Sequence, residues 1–179
     1  AGLPVAQKPD SQEICFIPDG DYRKFVGDRT RPRPGALVDS NGAVLGHHPG
    51  VQFFTIGQRR GLGLPGNTGS PMYVVGIDAH TSRVTLGPED GLYRSSLWAS
   101  RVNFISGAAP PGPIEVTAKV RYKASGAPAT MTATDGWAEI RFDEPQRAVT
   151  PGQAVVFYKG EEVVGGGIIE LEPPDSWHN

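Results

Sequence analysis

A chain of 179 residues with 38% hydrophobic side chains has apolar material for one ordinary domain or two small ones, and its net charge of -2 argues against a partner held by overall charge. No apolar run approaches the ~20 residues of a helical membrane crossing. A single cysteine excludes an intrachain disulfide, which fits a reducing cytoplasm. The 24 glycines and 17 prolines are spread between alternating apolar runs, as turns are in a β-rich protein of many short strands.

Residues 1–20 show no periodicity that would close a core, so they read as the trailing edge of another domain, mobile without its packing partners. The start, from Ala1 to Val5, has no basic region followed by an apolar core, so no signal peptide is expected. Cys15 is the only sulfur nucleophile here. Its polar setting, Asp10 to Glu13 before it and Pro18-Asp19-Gly20 after it, suits an accessible thiol. Ile14 and Phe16 beside it equally suit a small buried hydrophobe. Lys8 would stabilise a thiolate, whereas Asp10, Glu13 and Asp19 would oppose one.

A short helix through Tyr22, Phe25 and Val26 follows, capped by Asp19 or Asp21 and ended by Gly27. The Arg/Pro stretch to Pro34 reads as extended linker. Residues 20–60 carry seven basic side chains against three acidic ones, while residues 111–179 carry six against ten. A local basic surface attracts phosphate even on an acidic molecule, although alternating charges in an exposed loop would look the same. Gly35 to Asp39 and Ala43 to Gly46 flank Ser40-Asn41-Gly42, a hairpin signature because Asn-Gly accepts positive φ angles. His47 and His48 point apart on any regular element and have no further ligand at metal spacing, so no metal site is expected.

Gly57-Gln58-Arg59-Arg60-Gly61-Leu62-Gly63 could bring backbone N–H groups and two guanidinium forks to an anion, or its glycines could simply serve tight turns. Arg59 and Arg60 are the candidate phosphate-facing residues of this run. Met72 to Ile77 and Arg83 to Gly87 form a second expected hairpin. Ser96 to Ala99 and Arg101 to Ile105 read as strand. Five more strands follow: Ile114 to Tyr122, Ala129 to Thr134, Trp137 to Phe142, Ala154 to Tyr158 and Val163 to Glu170. Strands so short and so regularly punctuated predict a small closed barrel. A boundary near Leu92-Tyr93 divides the chain into residues 1–20, a central domain at 21–92 and a barrel at 93–179.

Several separated stretches then agree. Asp10 to Phe16, Phe54 to Gly63, Val120-Arg121-Tyr122, Phe142 to Pro145, Val149 to Gln153 and Gly165 to Ile169 resemble the tRNA-specific 2-thiouridylase family, in order and spacing over nearly the whole chain. The resemblance covers the carboxyl-terminal half of such a protein. It implies a mainly β fold: a small central domain with short helices, then a six-stranded barrel similar to elongation factor domain 2. It implies an ATP-dependent transferase that replaces the C2 oxygen of the wobble uridine by sulfur. The family's Ser-Gly-Gly-Val-Asp-Ser phosphate loop and first catalytic cysteine do not occur in this sequence. ATP is therefore expected on an amino-terminal domain, no cofactor on this chain, and no turnover by this chain alone.

Residue by residue, Cys15 matches the family's persulfide cysteine, and Arg121, Tyr122 and Gln153 match barrel positions that contact tRNA. The implied partners are tRNA and a sulfur-donor protein, with no membrane. Phe53, Phe54, Trp98 and Trp137 are expected core aromatics. The competing expectations are a standalone RNA-binding barrel with an incidental cysteine and, more weakly, a thiol peroxidase or redox sensor.

Overall fold

A computed structural model describes residues 22–64, 70–121, 125–134 and 136–173. Cys15, Tyr122, the capping aspartates and the expected mobility of residues 1–20 lie outside the described residues.

Helix α1 (Tyr22–Arg29) continues through Gly27, contrary to the expected stop. The reason is local. Thr30 folds both its amide (2.9 Å) and its hydroxyl (2.8 Å) onto the Val26 carbonyl, and that closes the helix three residues later. The Arg29 guanidinium lies 3.7 Å from the centroid of the Phe25 ring one turn back. Gln52 donates to the Thr30 hydroxyl at 3.2 Å and joins the helix end to a 3-10 turn at Val51–Phe53.

The central unit is a four-stranded sheet of β1 (Gly35–Val38), β2 (Val44–His48), β3 (Tyr73–Asp78) and β4 (Arg83–Gly87), in the order β2-β1-β4-β3. Both expected hairpins form. The first turn works differently from expectation. Gly42 has a positive φ of 85°, but Asn41 does not, and the Asp39 carboxylate instead accepts the amides of Asn41 and Ala43, each at 2.8 Å. Short-range patterning could not anticipate the parallel pairing of β1 with β4, Leu37 opposite Val84, which makes one sheet of the two hairpins. Leu37, Val74, Val84 and Leu86 are fully buried in its core, with Phe54 and Ile56 packed against them.

The barrel comprises β5 (Tyr93–Phe104), β6 (Ile114–Lys119), β7 (Ala127–Thr134), β8 (Trp137–Arg147), β9 (Ala154–Lys159) and β10 (Glu162–Glu170). It closes as β10-β5-β8-β7-β6-β9, with β9 returning to β10 and every pair antiparallel. The mainly β class and the six-stranded barrel agree with expectation. The two strand runs around Ser100 are one strand, bent at Arg101, whose φ is 52°. β8 runs on past Phe142 to Arg147.

Inward positions alternate with period two: Leu97 and Ala99, Met131 and Ala129, Ile140 and Phe142, Val155 and Phe157. That parity corrects one expectation. Trp98 sits between Leu97 and Ala99, and Trp137 precedes the inward Ala138, so both indoles are on the outer wall and only half-buried. Phe157 and Phe142 supply the aromatic core instead. Phe53 is likewise half-buried outside the central core.

β10 carries Gly165-Gly166-Gly167 where it meets both neighbours. A Cβ at these positions would lie 2.4 Å from the Asn103 carbonyl oxygen, 2.7 Å from that of Val155 and 2.7 Å from that of Ser100, respectively. The glycines let three strand backbones approach at the seam where the barrel closes.

Candidate nucleic-acid interface

The segment Thr55 to Gly61 is built around Gln58. Its side-chain oxygen accepts the Thr55 amide at 3.1 Å, and its side-chain nitrogen donates to the Arg60 carbonyl at 2.9 Å. The backbone adds a short rung to the free side of β3: the Gly57 amide donates to the Val74 carbonyl (2.8 Å) and the Val74 amide to the Gln58 carbonyl (2.9 Å). Gly57, Gly61 and Gly63 have φ of 86°, 68° and 72°, so each permits a left-handed turn. All three therefore serve turns, and the Gly57 N–H is already committed to the sheet. Arg59 and Arg60 emerge exposed from this loop, and no carboxylate among the described residues pairs with either.

The barrel meets this loop at Ala148, just past β8. Ala148 is buried and its φ is 51°, a left-handed conformation that alanine seldom adopts. Its amide donates to the Leu92 carbonyl at 2.7 Å. Its carbonyl accepts the Thr150 hydroxyl at 3.1 Å and the Arg121 Nη2. The same Nη2 reaches the Arg147 carbonyl at 3.1 Å. A Cβ on Gly57 would stand 3.3 Å from the Ala148 Cβ, so the glycine of one motif is seated on the corner of another. Tyr73, Leu92 and Ala148 form a small core between the units, with Ile56 and Val75 against it. Arg147 spans the junction, donating to Glu89 at 3.2 Å with its guanidinium 5.8 Å from the Tyr73 ring centroid.

Gln153 follows in the turn to β9. The Gly152 amide donates to the Ile169 carbonyl (2.8 Å) and the Ile169 amide to the Gln153 carbonyl (2.8 Å), which fixes the backbone and leaves the Gln153 side chain exposed. A cleft of about 360 Å³ lies alongside, with Val51, Phe54 and Ile77 on one wall and Thr150 and Pro151 on the other.

The adjacent histidines diverge, His47 exposed and His48 buried. Burial lowers the His48 pKa, and the nearby Ser82 and Gly50 backbone only partly offsets this. Neither ring nitrogen has a hydrogen bond of good geometry; the ring packs edge-on against Phe54, centroids 5.1 Å apart. Among the described residues no three His, Cys, Asp or Glu side chains converge as a metal site.

Of the residues singled out by sequence, Arg121, Arg59 and Arg60 therefore belong to elements that converge on Ala148, and Gln153 lies five residues beyond it. Cys15 and Tyr122 lie outside the described residues. Sequence reading missed Ala148 and Thr150 as organisers. The Val149 to Gln153 motif beside them was the available signal, but a positive φ at alanine leaves no trace in composition.

The fold is thus a two-unit β protein in which a small sheet domain precedes a closed barrel. Residues 23–88 match the family described as tRNA methyl transferase PRC-barrel domain, and residues 94–169 the aminomethyltransferase beta-barrel domain. Proteins called tRNA-specific 2-thiouridylase MnmA are similar along the chain. That of Moorella thermoacetica is 50% identical over 172 residues, covering 94% of this chain and 48% of the relative. That of Acetivibrio thermocellus is 52% identical over 172 residues, covering 94% and 47%. That of Heliobacterium modesticaldum is 49% identical over 186 residues, covering 99% and 48%. The chain belongs to the tRNA-specific 2-thiouridylase family, matching the carboxyl-terminal part of its members. It spans about half the length of the curated relatives it matches.

Proposed function

We propose that this chain is the sulfur-relay and RNA-binding portion of an enzyme that thiolates C2 of the wobble uridine in tRNA. The observation that carries the proposal is the identity of about one residue in two to proteins named for that activity, maintained across 94% of the chain. The junction supports the RNA-binding half of the reading. Arg59 and Arg60 are exposed and unpaired among the described residues, as a phosphate contact requires, and Gln153 offers an amide that can pair with a base edge.

In this reading ATP, bound by another domain, adenylates the uridine C2 oxygen and releases pyrophosphate. Cys15 carries a terminal sulfur received from a sulfur-donor protein. That sulfur adds to C2, and AMP leaves with the C2–O bonding pair. A second cysteine, outside this sequence, attacks the Cys15 Sγ; the S–S bond breaks, its electrons stay on the sulfur at C2, and a disulfide remains between the cysteines. Arg121, Tyr122 and Gln153 hold the RNA meanwhile. The 179 residues alone bind RNA and produce no thiolated tRNA. The reaction belongs to the cytoplasm.

The test uses the full-length enzyme and Cys15→Ser, scoring thiolated tRNA by mobility on a mercury-containing gel and RNA affinity by anisotropy. The expected result is lost thiolation with affinity kept within twofold. Thiolation surviving Cys15→Ser would refute the relay and leave an RNA-binding barrel with an incidental cysteine.

A further inference from the structure

The geometry points to a role for Arg121 that family likeness does not assign: it is a positioning residue that holds the left-handed corner at Ala148, on which the junction of the two units is seated. Four constraints meet there. The Ala148 amide is tied to Leu92, the residue leading into β5. The Ala148 carbonyl takes Arg121 and Thr150 together. Gly57 packs on its methyl group, and Arg147 beside it bridges to Glu89. A non-glycine residue in this conformation persists only where its surroundings over-determine it. Among the described residues Arg121 is the polar side chain that reaches the corner from across the barrel, two residues past the end of β6, and its charge strengthens both carbonyl bonds.

The consequence reaches the proposed RNA surface. The corner leads directly into Thr150-Pro151-Gly152-Gln153 and touches the loop that presents Arg59 and Arg60, so Arg121 fixes the spacing of those groups whether or not it also meets a phosphate. Nη2 is committed to the two carbonyls, and the other three N–H donors have no partner among the described residues.

Amide exchange in the intact chain, followed residue by residue by NMR, tests this. Hydrogen bonds from charged donors are strong enough that Arg121→Ala should raise exchange at the Ala148 amide about ten- to hundredfold. Arg121→Lys, a single-point donor, should give an intermediate rise. In an Ala148→Gly background, where the left-handed turn costs little, the effect of Arg121→Ala should shrink at least threefold. If Arg121→Ala does not fold, the Lys variant alone, with and without Ala148→Gly, gives the same comparison.

Unchanged exchange at Ala148, or an equal effect in both backgrounds, overturns the inference. Where the effect on Gln153 is concerned it rests on the preceding reading, and titration with an anticodon stem-loop separates the two. Weaker RNA binding with unaltered exchange makes Arg121 a phosphate contact only. Failure of the parent chain to bind the RNA counts against the RNA-binding reading, while the amide readout still decides this one.

Discussion

Gly165→Ala puts the seam of the barrel under direct load. The added methyl would stand 2.4 Å from the Asn103 carbonyl oxygen, 3.1 Å from a ring carbon of Phe104 and 3.2 Å from the Phe104 Cα. Two of these atoms are backbone, so no side-chain rotation relieves the overlap and β5 itself must retreat. Overpacking of this kind costs about 1–3 kcal/mol, and a clash with the backbone of the paired strand β5 belongs at the upper end. For a chain of this size each kcal/mol lowers Tm by roughly 2–4 °C, so a fall of about 6–12 °C is expected by circular dichroism or calorimetry. Gly112→Ala is the control: it lies in a loop with nothing within 4 Å of its added methyl and no left-handed φ. It should leave Tm unchanged or raise it slightly, because alanine restricts the unfolded chain. A Gly165→Ala melt within about 2 °C of the parent would refute the reasoning.

Three further outcomes follow from the same structure. Because burial holds the folded-state pKa of His48 below its ordinary 6.5, the unfolded chain takes up this proton first. Stability should therefore be complete above pH 6.5 and decline as pH falls below it, and His48→Phe should flatten urea midpoints across pH 5–7. Asp78 is the opposite case. Its carboxylate accepts the Thr81 hydroxyl and the amides of Thr81 and His80, which lower its pKa from 3.8. Its contribution is present above pH 3.8 and disappears as pH drops through the folded value, so Asp78→Asn should lower stability at pH 7 and the difference from the parent should vanish in acid. Arg59→Ala and Arg60→Ala should each reduce the salt dependence of RNA binding by about 0.7–0.9 in log–log slope without changing Tm, whereas equal slopes would place these side chains away from phosphate.

The barrel was readable from sequence because period-two alternation in β7, β8 and β9 coincides with turn residues at short intervals. The β1–β4 pairing was not, since Leu37 and Val84 are brought together by a connection that no local pattern specifies. The tryptophans misled for a simpler reason: size suggests core, but strand parity decides the face, and Leu97 and Ala138 had already claimed the inside. Gly27 was read as a helix stop, although the bonds from Thr30 to Val26 carry more weight than one flexible residue. At the junction the motifs were visible as text. Their convergence on a buried alanine was not, because it depends on contacts between residues 57, 92, 121 and 148.

The closing seam also sets an order of events during synthesis. β5 pairs with β10, Trp98 with Glu170, so the first barrel strand waits for the last to leave the ribosome. Until then β5 offers an unprotected edge to whatever lies nearby, and chaperones have a defined interval in which to cover it. A ribosome stalling shortly before Gly165 would release a product whose barrel cannot close and whose edge stays sticky, a natural substrate for proteolytic clearance.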